Sequence, residues 1–347
     1  MAGIGVVLNP NSGHNLRNPR AASRLARALG DHGVLRQARS IDELYRIAED
    51  FRRDGIDVLA ISGGDGTNHV TLTGFIDVYG GATIPQVALL RGGTMNTVAN
   101  SVGVERGKPE GLLGRLVRAY AVRASGASVS ASVAPPLPGR VSRRTSLRGD
   151  DRPVWDVVER HVMRIAAPGE RRAQYGFLFG TGVVHGFLAE YYRDGATPLV
   201  ALKTLMRGIG SAAIGGETIR RMARPFRGSV AFEGGEPWPN RDYLAVAAGT
   251  IGHIGLNFKP FHRCLEGPGQ FHMLGIHTSA LSFIGELPRI HRGEPMRGGK
   301  AYDALAGRAV LSSREGPIRY MIDGDLHETD GDLEMTIGTR VRLVVLA

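Results

Sequence analysis

The chain has 347 residues, more than one compact core usually serves, and its 42% hydrophobic and 22% charged residues place it in the globular range. Forty-nine glycines with no fixed period exclude coiled-coil and collagen-like classes, and a single cysteine, Cys264, excludes a disulfide framework or a zinc site of several thiolates. A net charge of +10 favours a polyanionic partner, whether nucleic acid, an anionic membrane or a phosphorylated substrate. No apolar run approaches the roughly 18 residues that span a bilayer. The first residues also lack the basic flank and cleavage site of a signal peptide, so the expectation is a cytoplasmic protein.

Strand and helix signals alternate through residues 1–124. Gly3–Leu8 is an apolar run suited to a buried strand. Pro19–Leu29 carries Ala22, Leu25, Ala26 and Leu29 at helical spacing and stops at Gly30. Ser40 and Glu43 form a capping-box signature ahead of a helix lined by Ile41, Leu44, Ile47, Ala48 and Phe51. Asp57–Ser62 and Gln86–Leu90 read as further strands, and Pro109–Arg123 as a helix. Such alternation predicts a largely parallel sheet covered on both faces by helices.

The texture changes near Ala124. Residues 125–152 are rich in Ser, Ala, Pro, Gly and Arg without a period and read as a linker or surface excursion. Residues 153–347 hold short alternating runs: Val157–Ile165, Tyr175–Phe179, Ser229–Phe232, Tyr243–Ala248, Phe271–Ile276, Arg308–Leu311, Ile318–Ile322 and Val341–Leu346. They predict a β-sandwich or barrel, with one helical block at Pro198–Arg227 and final strands that could return to the first domain.

Three polar, glycine-bearing segments follow predicted strands. Ser62-Gly63-Gly64-Asp65-Gly66-Thr67 lies between a strand and a helix, where glycines let backbone approach a phosphate and the helix N-terminus supplies free N–H donors. Asp65 is anomalous beside phosphate unless a cation such as Mg²⁺ intervenes; otherwise it caps a helix. Asn9-Pro10-Asn11-Ser12-Gly13 and Gly92-Gly93-Thr94-Met95-Asn96 would meet it at one sheet edge and make a nucleotide site. A P-loop, a G-x-G-x-x-G fingerprint and the protein-kinase motifs are absent, and no lysine lies in the first 107 residues. Phosphate charge would then fall to amides, metal and arginines such as Arg91.

In this order and spacing the three segments resemble the catalytic domain of diacylglycerol kinases and related lipid kinases, including sphingosine and ceramide kinases. The resemblance implies an N-terminal Rossmann-like α/β domain, a C-terminal β-sandwich, and ATP and Mg²⁺ as cofactors. It implies nucleotide contacts at Asn9, Pro10, Asn11, Ser12, Gly13, Ser40, Gly63, Gly64, Asp65, Gly66, Thr67, Gly93, Thr94 and Asn96, with Asp65 holding the metal. Asp323-Gly324-Asp325 resembles the family's Asp-Gly-Glu motif, so Asp323 or Asp325 would be the general base, Asp325 taking the Glu position. Ala247–Gly255 followed by Pro260–Gly269 resembles its metal-loop region, with Glu266 as a second ligand. Ser40 is equally explained as a helix cap. Thr97, Val70 and Glu266 stand where the family usually carries other residues, chiefly acidic ones.

The expected reaction is phosphoryl transfer from ATP to a lipid hydroxyl, of the diacylglycerol or sphingoid type, in phospholipid metabolism. Two alternatives remain open: an NAD kinase-like phosphotransferase, which shares Gly-Gly-Asp-Gly-Thr, and a catalytically silent nucleotide- or lipid-binding protein. Pro198–Arg227 mixes leucines, Met206 and Ile214 with Lys203 and several arginines and could lie on an anionic membrane as a peripheral contact, or pack as an ordinary helix. Nucleic acid is not an expected partner, because aromatics are only 6% and no RNA-binding signature is present. Assembly into a homo-oligomer stays open.

Overall fold

The structure, a computed structural model, describes residues 3–125, 155–195, 197–213 and 216–346. The expected linker therefore lies almost wholly outside the described residues, as does Ile214. The chain divides into two compact units, residues 1–159 with 341–347, and residues 160–340.

The first unit runs β1 (Ile4–Leu8), α1 (Gly13–Leu16), α2 (Ala21–Leu29), β2 (Gly33–Gln37), α3 (Ile41–Asp54) and β3 (Val58–Ser62). It continues with α4 (Asp65–Tyr79), β4 (Gln86–Leu89), α5 (Thr97–Val102) and α6 (Pro109–Ala124). The strands are parallel in the order β2-β1-β3-β4. β1 and β3 are buried throughout, as expected of strands covered on both faces. Leu25 and Leu29 of α2 and Leu112, Leu113 and Leu116 of α6 cover Ile4, Val6, Leu8, Val58 and Ala60. On the other face Phe51 of α3 and Phe75 of α4 meet with ring centroids 6.2 Å apart. β2 carries no sequence signal because it is a half-exposed edge with Arg36 and Gln37 in it.

The second unit takes in β5 (Trp155–Ala166) from Arg160 onward, then β6 (Gln174–Gly176), β7 (Leu178–Thr181), α7 (Val183–Arg193), α8 (Pro198–Ala213) and α9 (Glu217–Met222). Next come β8 (Phe226–Phe232), β9 (Trp238–Tyr243), β10 (Ala245–Gly249), β11 (Phe271–Ile276), α10 (Ala280–Ile284) and α11 (Leu287–Arg292). It closes with β12 (Ala301–Ala306), β13 (Arg308–Ser313), β14 (Ile318–Ile322), β15 (Asp325–Thr329) and β16 (Leu333–Leu346). One sheet has the order β12-β11-β10-β7-β14-β15; the other joins β6, β5, β16, β13, β8 and β9. Between them Phe179, Val246, Phe271, Met273, Tyr320 and Ile322 meet Met163, Val230, Trp238, Leu311, Leu333 and Met335 in one buried core. This is a β-sandwich.

Two single runs in the sequence are each two strands, because the chain changes sheets inside them. β6 pairs with β5 while β7 pairs with β10 and β14, and the break falls at Phe177. β9 pairs with β8 while β10 pairs with β7 and β11, and the break falls at Leu244. The expected helical block also ends early. Met222 closes α9, and from Phe226 the burial alternates with period two, which makes a strand. The end of β16 belongs to the first unit, where Leu343 pairs in parallel with Val87 of β4; residues 155–159 belong there too.

Candidate functional site

The order β2-β1-β3-β4 places a topological switch point between the carboxyl ends of β1 and β3, the place where open α/β sheets bind ligands. The first and second polar segments leave from those two ends. Asn9 Nδ2 donates to Thr67 Oγ1 at 3.0 Å, and Asn9 Oδ1 accepts from the Asn11 amide at 2.9 Å. Asn15 Nδ2 ties both strand ends together, donating to the carbonyls of Asn9 (2.8 Å) and Ser62 (3.1 Å). Loop one is thus fastened to loop two by amide side chains.

Loops two and three meet through bare backbone. A Cβ on Gly93 would stand 2.4 Å from the Gly64 Cα, one on Gly92 2.8 Å from the Gly63 nitrogen, and one on Gly64 3.1 Å from the Gly93 Cα. Asn96, at φ +48°, folds back on the third loop: its Oδ1 accepts from the Gly93 amide at 3.0 Å and its Nδ2 donates to the Gly93 carbonyl at 2.7 Å. Thr94 is carried half-buried at the middle of that loop. Gly93→Ala should therefore spread the two loops and weaken nucleotide binding at least tenfold, while thermal unfolding shifts only modestly. Isothermal titration with ATP beside a melting curve checks both halves.

α4 begins at this junction behind Gly64, which offers no side-chain cap, so the amides of Asp65, Gly66 and Thr67 lack partners within the helix. Such a helix start suits a phosphate group. Around it, the Ser12 and Ser62 hydroxyls and Asn68 Oδ1 are buried with no hydrogen-bond partner in the structure. Pro10, Asn11 and Gly13 complete the first loop, with Gly13 opening α1 behind Ser12. Asn15 and Asn68 were missed from sequence, and Ser62, which opens the second segment, was given no role there. The signal for the first two was adjacency: Asn15 lies two residues past the first segment and Asn68 one past the second.

Asp65 resolves its own anomaly without a cation. Its carboxylate accepts from the amides of Thr97 (2.9 Å) and Val98 (3.3 Å), capping α5 rather than the helix that contains it. Burial pushes its carboxyl above the ordinary value, while those two amides and the charge of Arg91 pull it down. Arg91 donates to the Val104 carbonyl at 2.9 Å and Asn100 Oδ1 at 2.6 Å. Ser40 also has a structural task. Its hydroxyl accepts from the Glu43 amide at 3.1 Å as the N-cap of α3, and Glu43 Oε2 accepts from the Arg39 amide at 2.7 Å. Ser40→Ala should cost about 1 kcal/mol of stability and leave ATP affinity unchanged, read from urea unfolding and titration.

In the second unit Asp323 and Gly324 form the two-residue turn between β14 and β15, both at positive φ, as a tight Asp-Gly hairpin requires. Asp323 has structural partners. Its carboxylate is buried and accepts from the amides of Phe177 (3.0 Å) and Leu178 (2.8 Å), the point where the chain crosses between sheets. Asp325 differs. It is half-buried at the start of β15, and burial pushes its carboxyl above the ordinary value against the pull of His327. Tyr192 Oη donates to the Gly324 carbonyl at 2.7 Å and steadies the turn.

Glu266 lies exposed in a turn and pairs with Arg263 at 2.9 Å. Among the described residues no three His, Cys, Asp or Glu side chains group as metal ligands. The two expected ligands, Asp65 and Glu266, are each engaged by other partners in this structure. The loop junction, by contrast, suits a phosphate group. The Cβ-free junction, the open helix start and the orphaned hydroxyls are all on the first unit.

The family model for the diacylglycerol kinase catalytic domain matches residues 3–129, the segment that contains all three loops. No curated protein matches the chain. Among solved structures, a diacylglycerol kinase from Bacillus anthracis str. Sterne is similar at TM-score 0.59 and 12% identity, covering 99% of this chain and 96% of that one. Two further chains from that organism align over 99% of this chain at TM-scores 0.62 and 0.61, with 14% and 13% identity and 96% and 97% of their own lengths covered. Residues 3–129 thus match the diacylglycerol kinase catalytic domain, and the chain as a whole has the two-domain fold of those structures.

Proposed function

We propose that the protein transfers the γ-phosphate of ATP to a lipid hydroxyl of the diacylglycerol or sphingoid type, as a peripheral enzyme of the cytoplasmic membrane face. The observation that carries this reading is the three-loop junction at the switch point, inside the segment that matches the kinase family. Amides at the start of α4 receive phosphate charge, and the Ser12 and Ser62 hydroxyls offer it further donors. The acceptor oxygen bonds to the γ-phosphorus as the bond to the bridging oxygen breaks, ADP leaves, and the hydroxyl proton passes to the Asp325 carboxylate. The proton leaves late in a loose transition state, so a weak, well-placed carboxylate base suffices. Mg²⁺, if it enters with the nucleotide, would supply charge neutralisation for the transferred phosphoryl group.

The acceptor class is tested by supplying ATP and Mg²⁺ with dispersed short-chain diacylglycerol, with sphingosine, or with NAD⁺. Phosphorylation of a lipid supports the reading; phosphorylation of NAD⁺ alone replaces it. A second reading, a silent nucleotide-binding protein, is favoured by the engagement of Asp65 and Glu266 by other partners. ATP binding with no transfer to any acceptor would select it.

A further inference from the structure

α8 is built inside out. Its buried side is small, with Ala201, Thr204 and Gly208, and Gly208 packs so close to α9 that an added Cβ would stand 3.2 Å from Met222. Its large apolar residues face outward: Leu199 is 60% exposed, Leu202 48% and Met206 57%. Their spacing of three and four residues puts them on one stripe. α10 packs beside α8 and adds Leu281, 59% exposed. A helix packed only for its own core would reverse this arrangement, so the outward stripe has a partner.

The charge on this face says which partner. Lys203 and Arg207 are exposed on the same side, and α8 has no acidic residue. Arg207 pairs with Asp194, which leaves its stem along the stripe. A second copy of this chain would bring like charge against like charge on a protein that is already +10. A bilayer containing anionic lipid offers an apolar interior beneath a layer of opposite charge. We propose that the outward face of α8, with Leu281 of α10, docks on an anionic membrane surface. The inference deepens the lipid-acceptor reading and rests on it for its purpose, since such an acceptor is met at a bilayer.

The test uses the full chain and vesicles of phosphatidylcholine with or without phosphatidylglycerol. Wild-type protein should sediment with the anionic vesicles and be released by high salt. Leu202→Glu with Met206→Glu should lower that partition at least tenfold. Leu202→Gln with Met206→Gln, which adds no charge, should lower it severalfold, because apolar contact is lost while Lys203 and Arg207 remain. Turnover on dispersed short-chain lipid should stay unchanged in both variants. Equal vesicle binding by wild type and variants would overturn the docking face and leave the kinase reading standing. Wild-type binding lost in the variants, with no phosphorylation of any lipid, would support the docking face and sink the kinase reading. A variant-sensitive dimer in sedimentation velocity, with no vesicle binding, would overturn the proposal in favour of a second copy.

Discussion

Asp325→Asn should lower kcat by about two to four orders of magnitude, with a melting temperature unchanged or slightly raised. The two halves have one cause. Burial raises the Asp325 pKa, so its ionised form is less favourable in the fold than in the unfolded chain. A carboxyl of this kind contributes stability that is fully present below its unfolded pKa and is lost as pH rises through its folded pKa. At neutral pH the charged side chain therefore adds nothing that Asn would remove. Activity has the opposite dependence, because the base works only when deprotonated, and kcat/KM should fall on the acid side through a pKa above the ordinary aspartate value. His327 lies two residues along β15 on the same face and pulls that pKa down, so His327→Gln should move the acid limb to higher pH. A pH–rate profile of the two proteins decides this.

Asp323→Asn should do the reverse: a large loss of stability, about 3 kcal/mol, with residual turnover in the fraction that stays folded. The carboxylate takes the Leu178 amide on Oδ1 and the Phe177 amide on both oxygens; Asn keeps Oδ1 but removes the charge and sets an Nδ2 donor against the Phe177 amide. Leaving a buried N–H without its charged acceptor costs about 1–3 kcal/mol. Asn tolerates positive φ, so the substitution adds little backbone strain at a residue with φ +46°. Urea unfolding measures the effect. Full stability with abolished turnover would return Asp323 to the chemistry.

The contrast between these two aspartates marks where sequence reading stops. Asp-Gly-Asp displayed a turn and two carboxylates, but the amides that engage Asp323 come from Phe177 and Leu178, some 145 residues earlier. Asp65 is similar. The motif showed a carboxylate beside glycines, and its partners, Thr97 and Val98, lie beyond the third loop. What was legible was local. The buried strands β1 and β3, the Ser40 cap and the glycines at strand ends each declare themselves through neighbours in sequence. The sheet changes at Phe177 and Leu244 left no mark, because an unbroken run of apolar residues and glycine, residues 175–179 and 243–248, crosses each break. In α8 the amphipathic period was visible, but which side faces outward depends on the small residues packing against α9 and could be read only from the fold.

The central claim is phosphoryl transfer to a lipid hydroxyl. Its most direct measurement supplies γ-³²P-labelled ATP and Mg²⁺ with mixed-lipid vesicles and resolves the extracted lipids by chromatography, for wild type and Asp325→Asn in parallel. Wild type should yield a labelled lipid, reduced at least a hundredfold in the variant. Confirmed ATP binding with no labelled lipid from wild type, or equal labelling by both proteins, would contradict that claim.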